Sequence, residues 1–380
     1  MKMKSKVRAL LAIVAVLAMV AAACGDDDSA TTTAAPGTTG GPGTTAAGEL
    51  TPVSLQLQWV TQSQFAGYFA AVDQGFYEDE GLDVTILEGA VDIVPQQVVA
   101  SGQAQFGLAW VPKALVSNEE GAGLVNIGQV FQRSGTLEVS WADSGITEPA
   151  DWAGKVVGTW GFGNEFELTA AIEAFDVADV ELIQQPFDMS LLLNDEVDAA
   201  QAMTYNEYAQ VLEATNPETG ELYQPEDLNV IDFNDVGTAM LQDAIWVQAD
   251  WLADNQDIAE AFLRASFRGW IFCRDNFEAC VDIVLDNGPT LGASHQAWQL
   301  NEINKLIWPS PAGIGVMDQG LWDQTVEVAT SQGVISAAPP DGTFTNSLAQ
   351  AAVDGLNADG LDTTGSSWQP IDVELNPGGE

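Results

Sequence analysis

The stretch from Val53 to Ala90 leaves this chain few choices of fold. Val53, Leu55 and Leu57 alternate with polar residues at the period of a strand. Phe65, Phe69, Val72 and Phe76 then recur at the spacing of one helix face. Gly75 and Gly81 close two short helical pieces, and Asp83 to Leu87 is a second strand. A strand, a helix and a strand in so short a span form a βαβ unit, because parallel strands need a crossover between them. In open α/β sheets, ligands bind beyond the carboxyl ends of the strands. Trp59 and the segment Thr61 to Tyr68 lie at one such end, and Glu88-Gly89-Ala90 at the next.

The pattern continues. Ile93 to Ala100 reads as a helix, and Ala104 to Ala109 as a buried strand ending at Trp110. Leu124 to Phe131 is another strand, and Thr136 to Trp141 crosses into a second lobe. Val156 to Trp160 is a strand that stops at Gly161 and Gly163, with a helix starting at Glu165 or Phe166. Backbone N–H groups at such a start can hold a polar ligand atom; a plain strand–helix connection is the other reading. Asp179 to Gln184 and Val197 to Ala202 are further strands, the second followed by Met203, Thr204, Tyr205, Asn206 and Glu207 at a mouth. Val230 to Phe233 is a strand, and Thr238 to Val247 returns to the first lobe. Helical periodicity then dominates up to LAQAAVDGL, and the polar, Gly-rich end reads as weakly ordered.

The N-terminus bears on the compartment. Lys2, Lys4, Lys6 and Arg8 precede an apolar run from Ala9 to Val20, then Ala21-Ala22-Ala23-Cys24. This is the pattern of a secretory signal peptide over residues 1–23, too short for a membrane helix. A cysteine after small residues matches a bacterial lipoprotein site, with lipid on Cys24. Residues 24–49 are rich in Ser, Thr, Ala, Gly and Pro, the composition of a tether. Cys273 and Cys280 follow in WIFCRDNFEACVDIV; in an exported chain a disulfide is the first reading and two buried thiols the second. The formal charge of −44 excludes nucleic acid as a bulk partner and argues mildly against an anionic solute.

The order strand, Trp, polar turn, helix, GFYEDEGLDV, strand, Gly, followed by QQVVASGQAQFGLA, resembles the solute-binding proteins of ABC importers. The resemblance is to the group that binds the thiamine-precursor pyrimidine. Related to it are aliphatic-sulfonate binders, a riboflavin-binding importer component and the yeast-type pyrimidine synthase. It spans Leu50 to about Thr345. It implies an α/β fold of the periplasmic-binding-protein type II: two lobes, each a mainly parallel sheet flanked by helices, joined by two crossover hinge segments. The first lobe is expected from 50–139 and 245–346, the second from 140–244, and a C-terminal helix and weakly ordered tail from 347–380.

An aromatic interlobe cleft follows from these placements. Its expected ligand-binding residues are Trp59, Gln62, Gln64, Phe65, Tyr68, Gly89, Trp110, Trp160, Phe162, Asn164, Glu165, Phe187, Met203, Tyr205 and Glu207. Aromatic faces suit a planar ring, and amides and carboxylates suit ring nitrogens and amines. The resemblance implies a thiamine pyrimidine precursor, such as hydroxymethylpyrimidine or a formylaminopyrimidine, with riboflavin second. A sulfonate binder and a pyrimidine-forming enzyme rank last. Arg133 is the one basic residue expected near the cleft, and the synthase's cysteine-rich iron motif is lacking. His295, the one histidine, is expected as a surface or cap residue, so no catalytic residue, metal or cofactor is expected. The implied partners are an ABC permease with its ATPase subunits and, through the lipid, the membrane. A monomer is expected.

Overall fold

A computed structural model describes residues 49–380. The signal peptide, Cys24 and most of the tether lie outside the described residues. The strands β1 (Thr51–Gln56), β2 (Leu82–Leu87), β3 (Phe106–Ala109), β4 (Leu124–Gln129) and β10 (Ala244–Gln248) form one sheet in the order β2-β1-β3-β10-β4. The strands β5 (Thr136–Trp141), β6 (Val156–Thr159), β7 (Glu181–Gln184), β8 (Ala199–Met203) and β9 (Leu228–Asp232) form the other, in the order β7-β6-β8-β5-β9. β1 pairs in parallel with β2 and β3, as its βαβ setting requires. Each sheet holds one antiparallel strand, β10 in the first and β5 in the second. Each of these follows directly on a crossing between the sheets, so each enters its sheet against the grain.

The crossings are residues 130–135 and 233–243. The first lies ahead of the boundary expected at 140, because Thr136 to Trp141 is wholly a strand of the second sheet and not itself the crossing. Local alternation looks the same in either sheet; only the pairing with β8 and β9 decides it.

The helices used below are α1 (Ala66–Asp73), α2 (Pro95–Ala100), α3 (Val111–Glu119), α4 (Phe166–Ala174), α5 (Glu207–Leu212), α6 (Gln256–Asp275), α7 (Phe277–Asn287), α8 (Ala293–Ile307), α9 (Gln319–Ser331) and α10 (Ser347–Ala358). The first-lobe core is one continuous cluster in which Leu55, Phe106, Ile245, Phe262 and Trp270 are fully buried. Phe106 and Phe262 stack with ring centroids 3.7 Å apart. Cys273 on α6 and Cys280 on α7 are paired, with Cα atoms 5.0 Å apart, across the break at Asn276.

The expectation of a weakly ordered tail is corrected. Residues 359–380 run back over the body and their backbone is used. Thr364 and Thr363 carbonyls accept from the N–H of Ser310 and Ile314. Asn301 exchanges two bonds with Ile371, and Arg274 donates to the Asp362 carbonyl. Composition suggests no core contribution, yet Leu361 and Trp368 pack against the first-lobe core and Leu375 against the second-lobe one, beside these polar bonds.

A buried carboxyl ties the two crossings together. Glu167 on α4 accepts from Ser134 Oγ (3.1 Å) in the first crossing and from Met240 N (2.5 Å) in the second. Gln242 adds bonds to Gly135 N (2.8 Å) and Thr136 Oγ1 (2.6 Å). Burial pushes Glu167 up to about 7, against which its hydrogen bonds act only partly. Glu207 is raised to about 7 and Asp243 to about 6, burial again being the main cause.

These shifts fix the sign of a pH effect. A carboxyl that holds its proton more tightly when folded stabilises the fold below its unfolded value and loses that contribution as pH rises through the folded value. Stability is therefore expected to fall between about pH 4.5 and 7, in the same direction as the growing self-repulsion of a highly acidic chain. Lys113, lowered to about 8 mainly by burial, acts outside this window. The thermal midpoint should be higher at pH 5 than at pH 8, and Glu167→Gln should flatten part of the slope. An unaltered slope in the variant would contradict the role given to Glu167.

Candidate ligand-binding cleft

The two lobes face each other across a cavity of about 570 Å3, well within the size range of small-molecule sites. Its walls are the segments that follow the carboxyl ends of the strands. After β1 come Gln58, Trp59, Gln62 and Gln64; after β3 come Trp110 and Lys113. From the second lobe, Trp160, Phe162 and Asn164 follow β6, Phe187 follows β7, Met203 ends β8, and Tyr205 and Glu207 follow it. Trp59, Trp110 and Tyr205, expected from the sequence in one hollow, share it.

The aromatic groups differ in setting. Trp59 meets Phe187 across the cleft, ring centroids 4.9 Å apart and tilted by 54°. Trp110 and Trp160 are almost fully buried and belong, with Met203 and Tyr205, to the same apolar cluster as the first-lobe core. Phe162 is 72% exposed and has a positive φ of 56°, a conformation that costs a non-glycine residue energy. Trp160 Nε1 is buried and without a partner among the described residues. Glu207 accepts from Met203 N (3.0 Å) and Asn206 Nδ2 (2.8 Å), so its carboxyl shapes the mouth.

Four expected residues are not on the cavity wall. Phe65 is fully buried in the first-lobe core. Tyr68 is also buried and meets Trp270 edge-on at 5.7 Å. Tyr68 lies on the face of α1 that turns to α6, Phe65 ends the turn just before that helix, and an aromatic next to a mouth gives no signal of which way it points. Gly89 holds the turn from behind: its N–H donates to the Trp59 carbonyl (2.9 Å), and a Cβ there would strike the Trp59 backbone. Glu165 caps its own loop through Gly163 N (2.8 Å).

Other wall residues escape sequence reasoning. Lys113 lines the cavity, with Nζ 4.9 Å from the Trp110 ring centroid. It donates across the cleft to Asn164 Oδ1 (2.7 Å). The available signal is a lysine three positions after a strand-end Trp, in a chain with few lysines. Arg133, expected as the basic group, instead caps the end of α8 through the carbonyls of Leu306 (3.3 Å) and Pro309 (3.0 Å). Gln58 and Gln96 line the wall, and Asp243 sits behind it.

Helix α8 belongs to the first lobe, where Gln296 and Gln299 accept from Ser63 N and Gln64 N and so hold the Trp59 turn. It also reaches the second lobe. His295 bonds Glu213 Oε1 (2.8 Å) and Asn206 Oδ1 (2.9 Å), and Trp298 Nε1 donates to the Thr204 carbonyl (3.0 Å). His295 is thus an interlobe residue, not the cap or surface residue expected.

Residues 62–279, which hold every wall residue named above except Gln58 and Trp59, match the family model described as NMT1/THI5 like. The chain belongs to the NMT1/THI5-like family. Among curated proteins similar to this chain, the formylaminopyrimidine-binding protein of Halalkalibacterium halodurans is 23% identical over 63% of this chain and 71% of its own length. The riboflavin-binding protein RibY of Chloroflexus aurantiacus is 26% identical over 78% and 85%. Proteins named 4-amino-5-hydroxymethyl-2-methylpyrimidine phosphate synthase are similar at 19–22% identity. Among solved structures, the periplasmic sulfonate-binding protein SsuA of Methylobacillus flagellatus superposes with a TM-score of 0.59 at 16% identity, covering 86% of this chain and 99% of that one. That likeness establishes the fold, a two-lobed α/β periplasmic-binding-protein fold.

Proposed function

We propose that this NMT1/THI5-like protein is the extracytoplasmic solute-binding component of an ABC importer. On this reading it captures a planar N-heterocycle between its lobes and hands it to a permease. The observation that carries the reading is the convergence of Trp59, Trp110, Trp160 and Tyr205, from both lobes, on one cavity. Each stacked ring supplies roughly 0.5–1.5 kcal/mol beyond burial. A micromolar site needs about −8 kcal/mol, so amide contacts and water exclusion on hinge closure supply the rest. An aminopyrimidine of the thiamine-precursor kind, such as a formylaminopyrimidine or hydroxymethylpyrimidine, is the first candidate. Riboflavin is the second, favoured by the greater length of the RibY match.

Binding rather than turnover fits the side chains present. Ser117 lines the cavity, but the chain's one histidine is not on the wall: both its ring nitrogens are taken up by Glu213 and by Asn206, a residue at the cavity's edge. Among the described residues, a sulfonate in the cavity would have a single lining cation, Lys113, to meet it.

Calorimetric titration with a formylaminopyrimidine and with riboflavin tests the reading. Micromolar or tighter binding of one is expected; no heat with either, and a strong signal with an alkanesulfonate, would overturn it. The anchoring part of the proposal rests on Cys24. Cys24→Ser should release the protein from the membrane fraction into the soluble one; a variant that stays with the membrane would refute lipid attachment at that residue.

A further inference from the structure

Asp243 is a buried acid at the end of the second crossing, 2% exposed. Three donors surround it. Oδ1 accepts from Gln58 Nε2 (2.5 Å) and Trp110 Nε1 (2.9 Å), and Oδ2 accepts from Gln64 Nε2 (2.9 Å). A carboxylate only accepts and an indole only donates, so these contacts settle which end of each amide faces inward. With its amide nitrogen turned to Asp243, Gln64 turns its carbonyl oxygen to Gln62, whose Nε2 donates to it (2.7 Å). Gln62 is therefore also oriented, at second hand. Gln58 and Gln62 both line the cavity, and their carboxamide oxygens accept no bond among the described residues.

We infer that Asp243 sets the hydrogen-bond polarity of the first-lobe wall, and that this wall selects ligands presenting N–H donors, such as an exocyclic amine, at the edge facing Gln58 and Gln62. The inference deepens the reading of the cleft as a heterocycle site and rests on it. It also ranks the candidates. An aminopyrimidine offers an amine to this wall, whereas the pyrimidine edge of a flavin offers two carbonyls around one N–H. Asp243 is a positioning residue: it acts through Gln58, Gln64 and Trp110. Its carboxyl, at about 6, is ionised above pH 7, where the relay has the polarity described.

The relay makes a specific forecast for Asp243→Asn. The carboxamide oxygen of the variant keeps Trp110 and Gln58, so its nitrogen takes the place of Oδ2. Gln64 must then turn its oxygen toward that nitrogen, its own amide nitrogen faces Gln62, and Gln62 presents a donor to the cavity. Moving the negative charge one step along, in the double variant Asp243→Asn with Gln64→Glu, restores the original orientation of Gln62.

The test is calorimetric titration above pH 7 with two probes, 2-methylpyrimidin-4-amine and 2-methylpyrimidin-4-one, in which the exocyclic amine donor becomes a carbonyl acceptor and the adjacent ring nitrogen changes from acceptor to N–H donor. The wild-type protein should prefer the amine by about tenfold or more, the size of a discrimination that leaves buried polar groups unpaired. Asp243→Asn should bring the ratio to within about threefold or reverse it, and the double variant should restore it. Gln62→Met leaves the Asp243 cluster in place and should also lose the preference, so the idea stays testable if Asp243→Asn does not fold. No preference in the wild type, or a preference kept in both Asp243→Asn and Gln62→Met, overturns the inference alone. Binding of neither probe, and of no larger heterocycle, overturns it together with the proposed function.

Discussion

Trp59→Ala should weaken heterocycle binding by about 30-fold to 100-fold, roughly 2–3 kcal/mol, while leaving the melting temperature nearly unchanged. Trp59 stands after the last residues of β1, where the strand no longer needs it for pairing. Its ring is only partly buried and touches the second lobe through Phe187. The turn that presents it is fixed by bonds that survive truncation, chiefly Gly89 N to the Trp59 carbonyl and Ser63 N to the Gln296 side-chain oxygen. Removal therefore costs the stacking face and the water exclusion it provides when the lobes meet, and little else. Titration and thermal melting on the same preparation check both halves. Unchanged affinity would place the ligand elsewhere, and a large drop in melting temperature would show that the residue serves the core.

Gly269→Ala tests the packing that holds the βαβ unit. Helix propensity alone favours alanine over glycine by about 1 kcal/mol. The packing says the opposite. A Cβ on Gly269 of α6 would run into the backbone carbonyl of Gly67 on α1 and come within 3.0 Å of Ala71 Cβ. A Cβ on Gly67 would in turn strike the Trp270 ring. The two helices thus cross at bare backbone, and no rotamer change relieves the clash. A net loss of about 3 kcal/mol is expected, toward the upper end for overpacking. For a domain of this size that lowers the midpoint by roughly 6–12 °C. A midpoint equal to or above that of the wild type would show that the helices part easily, and that the contact does not fix the position of α1.

The legible part of the structure is its local part. The alternation in Val53 to Leu57, the helix face from Phe65 to Phe76 and the Gly-terminated pieces all carry periods that short-range sterics impose, and the strands they predict are there. Trp59, Trp110, Trp160 and Tyr205 can be placed because each follows a strand's carboxyl end. What escapes the sequence depends on pairing or direction. Alternation sets the first crossing too late because strand β5 has the same pattern whichever sheet it joins. Phe65 and Tyr68 neighbour Trp59 in the chain, which suggests the cleft, yet both turn into the core, Tyr68 against Trp270. Asp243 lies in the apolar stretch MLQDAIWV and has no local mark of function. Its role arises from Gln58, Gln64 and Trp110, residues more than a hundred positions away.

The most direct test of the central claim is mass spectrometry of the small molecule retained by the protein through native purification and released on denaturation. A planar N-heterocycle at near one equivalent, an aminopyrimidine first and a flavin second, is the predicted result, lost in Trp59→Ala. An aliphatic sulfonate or another non-planar solute in its place would contradict the account of an aromatic cleft built for a flat ring.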